Sequence, residues 1–216
     1  MRVIAGSFRG RPIKPVPYKG TRPTTDRVRE AWASTLENLL PTGIDGIVAC
    51  DAFAGSGALG IELLSRGAGR VVFYEQNRKA FAILRGNLAS LGVLDEGMGQ
   101  EHTTRALTLQ GDVLSSGAIR FLAQNGPYHV LILDPPYVMP PATVAGFLAG
   151  LAAAQALAPK CIVSYEQSSL TPLADDDIAN WLKDIPCPSE SSFILETRKK
   201  YGTIALEFFR YCINTQ

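Results

Sequence analysis

Asp51-Ala52-Phe53-Ala54-Gly55-Ser56-Gly57-Ala58-Leu59-Gly60 is the stretch of this chain that decides the fold. The apolar run 47–51 that leads into it predicts a strand, and residues 58–66 predict the helix that follows. The glycines between them permit a tight turn and a close approach of the backbone to a ligand. A strand, a glycine loop and a helix in this order are typical of a parallel α/β sheet.

The same alternation continues along the rest of the chain. Further strands are predicted at 70–75, 107–109, 129–133 and 161–166, with helices at 78–91 and 145–158. Two strand-like segments near the end, 193–198 and 203–209, flank the turn residues Tyr201-Gly202. The pattern therefore predicts an α/β fold with a largely parallel, seven-stranded sheet that closes on an antiparallel hairpin.

The beginning of the chain differs from the rest in composition and charge. Residues 1–23 contain short strand-like pieces broken by four prolines, which predicts a small β appendage before a main domain at 24–216. Residues 1–29 carry eight Lys or Arg side chains and one Asp, whereas the remaining 187 residues carry 13 basic and 19 acidic side chains. A basic arm on a slightly acidic body is typical of proteins that bind a polyanion. The alternative is a solvated edge hairpin whose charges only prevent aggregation.

The composition is that of an ordinary globular protein, with 46% hydrophobic and 19% charged residues. No stretch approaches the ~20 apolar residues that cross a bilayer, and the start lacks the apolar run of a signal peptide. Cys50, Cys161, Cys187 and Cys212 form no CxxC pair, which predicts free thiols with neither a metal site nor disulfides. We expect a cytoplasmic protein with no membrane partner.

A second informative stretch is Asp134-Pro135-Pro136-Tyr137, which follows the strand at 129–133. The prolines end that strand as a rigid, extended turn. An acid and an aromatic ring are thereby held at the carboxyl end of a strand, where open α/β sheets bind ligands. This pair suits a planar, hydrogen-bonding substrate such as a nucleobase. The alternative is a plain turn with a solvated Asp and a packed Tyr.

The glycine loop predicts an adenosine-containing cofactor. Its GxGxxG spacing, with Glu75 at the end of the next strand, fits a dinucleotide fingerprint in which the acid holds a ribose hydroxyl. Asp51, just before the loop, would instead suit the ammonium group of S-adenosylmethionine. Asp112, after the third strand, would suit an adenine amine, although Gly-Asp is also a common turn. A helix-start turn with packing glycines is the alternative for the loop itself.

These motifs, in this order, resemble the RsmD family of S-adenosylmethionine-dependent methyltransferases, which have a Rossmann-like class I fold. Arg2-Val3-Ile4-Ala5-Gly6, Arg9-Gly10-Arg11, residues 21–31 and Tyr201-Gly202-Thr203 carry the resemblance across nearly the whole chain. That family methylates the exocyclic N2 of one guanine in 16S ribosomal RNA. Two features depart from it, a long loop at 94–105 and Glu166-Gln167 where Glu-His is expected.

The resemblance implies roles for individual residues. Asp134 and the Pro135 carbonyl would accept hydrogen bonds from the target amino group, and Tyr137 would stack on the extracted base. The implied cofactor residues are Thr24, Asp51, Phe53, Gly55, Gly57, Glu75, Gln76, Asp112 and Val113. The implied RNA-binding residues are Arg9, Arg11, Arg22 and Arg27. No metal is expected. The expected partner is 16S rRNA, in the small ribosomal subunit or an assembly intermediate, bound by a monomer.

Three other functions remain open from the sequence. DNA adenine-N6 methyltransferases share Asp-Pro-Pro-Tyr, but they usually add a target-recognition region for which this chain has no room. An NAD-dependent dehydrogenase shares the glycine loop but leaves the Asp134 turn and the basic arm without a purpose. A non-catalytic RNA-binding protein explains the arm but leaves four acids without a shared purpose: Asp51, Glu75, Asp112 and Asp134.

Overall fold

The computed structural model describes residues 1–17, 25–94, 105–169, 182 and 191–213. The chain divides into two compact units, Met1–Val113 and Leu114–Gln216. The predicted boundary between a β appendage and a main domain, at residues 23 and 24, falls outside the described residues and stays a prediction. Most of the predicted 94–105 loop lies outside them as well.

The first unit contains three helices and three parallel strands among its described residues. They are α1 Asp26–Leu39, β1 Val48–Asp51, α2 Ala58–Ser65, β2 Arg70–Glu75, α3 Arg78–Ser90 and β3 Ala106–Gln110. The strand order is β3-β2-β1, with Asp51 opposite Phe73 and Glu75 opposite Gln110. Because the strands are parallel, their carboxyl ends meet at one edge, and the predicted cofactor acids follow or end these strands.

Local sequence explains where the helices of the first unit begin. The Thr25 hydroxyl accepts a hydrogen bond from the backbone N–H of Val28 at 3.4 Å, so a Thr before α1 caps that helix. The Asn77 side chain does the same for α3, accepting from Lys79 and Ala80. Gly57 stands at the start of α2 and provides no side-chain cap. The first turn of α2 therefore begins directly at the glycine loop.

The second unit contains two helices and four strands among its described residues. They are α4 Ser116–Asn125, β4 Tyr128–Leu133, α5 Pro141–Ala153, β5 Leu157–Ser168, β6 Ser191–Tyr201 and β7 Ile204–Ile213. Strands β4 and β5 pair in parallel, whereas β7 pairs antiparallel with both β5 and β6. The predicted C-terminal hairpin is therefore present, and its strands are longer than the sequence indicated.

The Ala-rich helix of the second unit differs from its predicted range of 145–158. It begins at Pro141, because proline is well suited to the first turn of a helix, and it ends at Ala153. Gln155 has a φ of +55°, a left-handed conformation that stops the helix before β5 starts at Leu157. Helix α4 was not predicted from the sequence. Its first turn is capped by the Ser115 hydroxyl, which accepts a hydrogen bond from the Ala118 N–H.

The described residues contain neither a membrane-spanning helix nor a cluster of metal ligands. Within the described ranges, none of the helices has the length and apolar character needed to cross a membrane. In the same part of the chain, no group of three or more His, Cys, Asp or Glu side chains is arranged to hold a metal ion. Cys50 and Cys161 are buried free thiols and Cys212 is half-buried, while Cys187 lies outside the described residues.

Candidate functional site

Two glycines of the stretch 51–60 are packed so closely that a side chain on either would force its neighbours to move. Gly57 has a φ of +81°, and a Cβ there would lie 2.4 Å from Leu84 Cδ1. A Cβ on Gly60 would lie 2.2 Å from Phe73 Cε1 and 3.1 Å from Asp51 Oδ2. Since real Cβ atoms do not approach neighbours this closely, Gly57 allows close packing against α3, and Gly60 allows it against β1 and β2.

Glu75, at the end of β2, holds the glycine loop in place. Its Oε2 accepts a hydrogen bond from the Gly55 backbone N–H at 2.8 Å, and its Oε1 accepts one from the Asn77 N–H at 2.6 Å. Each carboxylate oxygen has a further lone pair, so a ligand hydroxyl can still bind there. The ribose contact expected of Glu75 therefore stays a prediction, and loop anchoring is a second role that the spacing did not reveal.

Asp51, at the end of β1, is a buried acid with only 2% of its surface exposed. The pKa of its carboxyl group is raised to about 7, and burial is the main cause. The Gly60 N–H, which donates to Oδ2 at 3.1 Å, lowers this pKa, whereas the nearby Glu75 charge raises it. The carboxyl group is thus close to half-ionised near neutral pH. A cation beside it would favour the ionised form, which fits the ammonium group predicted for this position.

The raised pKa of Asp51 predicts a pH dependence of stability. The pKa of the Asp51 carboxyl group is about 7 in the folded protein and 3.8 in the unfolded chain. Between these two pH values the unfolded chain loses a proton that the folded chain keeps. Folding stability should therefore fall as pH rises from about 4 to about 7 and level off above, a change on the order of 4 kcal/mol.

Asp51→Asn removes this ionisation, because an amide does not lose a proton in this pH range. Its amide oxygen can still accept the Gly60 N–H, so the hydrogen bond is kept. Urea unfolding of both proteins across this pH range measures the effect, with the wild type losing stability relative to the variant as pH rises. Parallel curves for the two proteins would show that Asp51 ionises normally in the folded state.

The remaining predicted cofactor residues of the first unit lie around the same strand ends. Gly111 N–H donates to the Glu75 carbonyl at 3.2 Å and so ties the Gly111-Asp112 turn to the end of β2. Asp112 and Gln76 are exposed, Phe53 is half-buried and Val113 is buried. Thr24 lies outside the described residues. Apart from Thr24, the structure places the predicted cofactor residues at the ends of three neighbouring strands.

The Asp-Pro-Pro-Tyr turn lies in the second unit, directly after β4. Asp134 is half-buried and Pro135 buried, while Tyr137 exposes 49% of its surface. The Met139 N–H donates to the Pro136 carbonyl at 2.8 Å, which closes a turn over residues 136–139. Helix α5 begins at Pro141, so prolines flank the turn and limit its motion. The turn presents an acid and an aromatic ring in a fixed conformation, as the sequence predicted.

Glu166 on β5 is a member of this site that the sequence reasoning did not assign to it. The Tyr137 hydroxyl donates to Glu166 Oε1 at 3.2 Å, and Glu166 exposes only 6% of its surface. Burial raises the pKa of this carboxyl group, and the Tyr137 bond lowers it. Burial and the charges of Glu166 and Asp134 raise the pKa of the Tyr137 hydroxyl in turn. An open pocket is lined by Pro135, Pro136, Tyr137, Met139, Pro141, Tyr165, Glu166, Gln167 and Ser168.

Gln167, which stands where the family resemblance leads one to expect His, has a structural contact. Its Nε2 donates to Glu207 Oε1 on β7 at 2.8 Å. Glu207 is fully buried and also forms an ion pair with Arg198 at 2.7 Å. The Gln side chain therefore helps to satisfy a buried carboxylate, as buried charges require.

The basic N-terminal segment is firmly attached to the first unit. Arg2 and Pro12 form an antiparallel bridge, and Val3 N–H donates to the Arg11 carbonyl at 3.0 Å. Glu62 of α2 accepts the N–H groups of residues 4 and 5, and Asn87 of α3 bonds the backbone N–H and carbonyl of residue 14. Residues 1–17 thus lie on the body as an ordered hairpin-like segment.

The structure separates the basic side chains of residues 1–29 by role. Arg9 and Arg27 are exposed, and so is Arg11, although its guanidinium donates to the Ser90 carbonyl at 2.6 Å. Arg29 is buried and donates to Asp26 and to the Arg2 carbonyl, both at 2.7 Å, so its charge does not contribute to a free basic surface. Arg22 lies outside the described residues.

Comparison with known proteins defines the class of this chain. Its strands and helices match the solved structure of the putative methyltransferase yhhF from Escherichia coli over 99% of both chains, with a TM-score of 0.67 and 28% identity. The seven-stranded mixed sheet has the Rossmann-like α/β fold of methyltransferases, which confirms the predicted fold class.

The chain belongs to the family described as conserved hypothetical protein 95, whose sequence model matches residues 1–185. It is 41% identical over 139 residues to ribosomal RNA small subunit methyltransferase D of Escherichia coli (strain K12), covering 63% of this chain and 60% of that protein. It is 39% identical over 140 residues to the putative rRNA methyltransferase YlbH of Bacillus subtilis (strain 168), covering 63% and 67%. The predicted membership of the RsmD-like family is confirmed.

Proposed function

We propose that this protein is an S-adenosylmethionine-dependent methyltransferase that modifies the exocyclic N2 of a guanine in 16S ribosomal RNA. The observation that carries the proposal is the rigid Asp134–Tyr137 turn, in a chain whose relatives are named rRNA small subunit methyltransferases. An amino group needs acceptors and a flat surface to hold it, and this turn offers both.

The cofactor site fits S-adenosylmethionine by its chemistry. When bound, this cofactor supplies a methyl group activated by a positively charged sulfonium. The buried Asp51 carboxyl group offers a negative partner for the ammonium group, and Glu75 offers lone pairs to ribose hydroxyls. Gly55 of the loop has no other part of the protein within 4 Å of the position that a Cβ would take, so the loop backbone is open there. Thr24, Phe53, Gln76, Asp112 and Val113 are proposed to complete the site.

The reacting nitrogen needs alignment more than chemical activation by the enzyme. Guanine N2 is a weak nucleophile because its lone pair is delocalised into the ring. Asp134 and the Pro135 carbonyl would accept hydrogen bonds from the two N–H groups of this amine. These bonds would turn the nitrogen lone pair toward the methyl group and stabilise the positive charge that develops on nitrogen. Tyr137, with half of its surface exposed, would stack on the extracted base.

The direct test is transfer of labelled methyl groups to small ribosomal subunits from a strain that lacks the enzyme, followed by nucleoside analysis. We expect label in N2-methylguanosine, with binding of S-adenosylmethionine and no binding of NAD by calorimetry. Transfer of label to adenine N6 of DNA and not to the subunits, binding of NAD alone, or tight RNA binding with no transfer would each support one of the other three functions and overturn this one.

The proposed RNA-binding surface predicts a salt-dependent affinity. Reversing the exposed Arg9 and Arg27 to Glu should weaken binding to small subunits and reduce the slope of log affinity against log salt by about 0.7 to 1 per lost phosphate contact. Arg11 is spared in this variant because its bond to the Ser90 carbonyl gives it a structural role as well.

A matched control carries the same change of charge elsewhere. Arg120→Glu with Lys160→Glu reverses two exposed basic side chains of the second unit. The control should keep the wild-type slope if the N-terminal segment holds the RNA. Equal effects of the two double variants would mean that net charge alone governs binding. We also propose that the protein is a cytoplasmic monomer and that its substrate is 16S rRNA in the small ribosomal subunit or in an assembly intermediate.

A further inference from the structure

The buried carboxylate of Glu166 is not explained by binding of the amino group alone. In the proposed reaction Asp134 and Pro135 already hold guanine N2, yet the pocket that Pro135 and Tyr137 line also contains the buried acid Glu166. A buried carboxylate is costly unless it is paired, and the bond from Tyr137 engages Oε1. The second oxygen, Oε2, has lone pairs available to a ligand donor.

The position of Glu166 relative to Tyr137 suits contact with the edge of a stacked base. A base on the Tyr137 ring lies one stacking distance, about 3.5–4 Å, from the ring plane. The carboxylate is bonded to the hydroxyl of that ring at 3.2 Å, so it lies at the hydroxyl end of the ring, near the edge of a base that stacks over that end. It comes from β5, whose Tyr165 is paired with Leu133 at the end of β4, so the strand register fixes it next to the turn.

Guanine presents a donor that a carboxylate can recognise. Beside its N2 amino group, guanine carries an N1–H donor, whereas adenine has an acceptor at N1. We infer that Glu166 selects guanine by accepting the N1–H with Oε2, while the Tyr137 hydroxyl fixes Oε1. An adenine at this position would place its N1 lone pair against the carboxylate and leave both groups without a partner. This inference rests on the proposed function and names the residue that selects the base.

The test compares two bases that both carry the reacting amino group. Small subunits are reconstituted with guanine or with 2,6-diaminopurine at the methylated nucleotide; the latter keeps the N2 amine but has an acceptor at N1. The wild type should methylate guanine at least about tenfold faster. Glu166→Gln can donate its amide N–H to the N1 acceptor and can still accept the Tyr137 hydroxyl. In this variant the preference for guanine should fall about tenfold or more.

The outcomes separate this inference from the function on which it rests. An active Glu166→Gln enzyme with the wild-type base preference would overturn the inference, because the residue would then only position Tyr137. Equal rates of the wild type on both bases would overturn it even if the variant does not fold. Tyr137→Phe retains the carboxylate but loses the bond that fixes it, so this variant should methylate guanine more slowly while still preferring it to 2,6-diaminopurine. Failure of the wild type to methylate guanine subunits would overturn the proposed function, and the inference with it.

Discussion

Asp134→Ala should lower the single-turnover rate of methyl transfer about a hundredfold or more, while leaving the affinity for S-adenosylmethionine nearly unchanged. The lost carboxylate is a preorganised group that would stabilise charge in the transition state, and removal of one such group typically costs this much. The proposed cofactor residues all belong to the first unit and Asp134 belongs to the second, so the substitution changes none of the proposed cofactor residues.

Asp134→Asn is the matched control for the charge. Its amide oxygen accepts one hydrogen bond from the amino group but carries no negative charge, so the rate should fall between those of wild type and Asp134→Ala. Equal rates for wild type and Asp134→Ala would remove this residue from the mechanism. Equal loss in both variants would show that charge, and not orientation of the amine, is the main contribution.

The parts of the site that depend on neighbouring residues could be predicted from the sequence. The glycine loop is defined by its own spacing, and the prolines of the Asp134 turn set its geometry locally. The alternation of strands and helices predicted a largely parallel sheet, because each strand must return to the same edge through a crossover. The carboxyl ends of β1, β2 and β3 then had to lie together.

Contacts between distant residues could not be predicted in the same way. Tyr137 and Glu166 are 29 positions apart, and their hydrogen bond depends on the register of β4 against β5. Arg29 shows the same difficulty for charge. It counts as a basic residue in the sequence, but its buried bonds to Asp26 and to the Arg2 carbonyl make it structural. The net charge of residues 1–29 therefore overstates how many of their basic side chains are exposed.

Glu62 is another residue whose role is visible only in the fold, where it bonds the N-terminal segment to α2. It is fully buried in α2, where it accepts the N–H groups of Ile4 at 2.9 Å and Ala5 at 3.1 Å and pairs with Arg66 at 2.9 Å. Glu62→Ala would leave these donors without their partner. Breaking such a buried pair typically costs about 3–5 kcal/mol, so we expect a loss of this order in the free energy of unfolding.

Amide hydrogen exchange distinguishes release of the N-terminal segment from general destabilisation. Glu62→Ala should increase the exchange rate of the Ile4 and Ala5 amides more than that of the amides in β1 or β2. The reason is that Glu62 bonds those two amides directly. Glu30→Ala on the exposed face of α1 is the control and should change stability by less than about 0.5 kcal/mol. Because Arg9 lies on the segment that Glu62 anchors, Glu62→Ala should also weaken RNA binding without any change of a basic residue. Unchanged exchange at both amides would show that the bridge of Arg2 to Pro12 and the Asn87 contacts suffice to hold the segment.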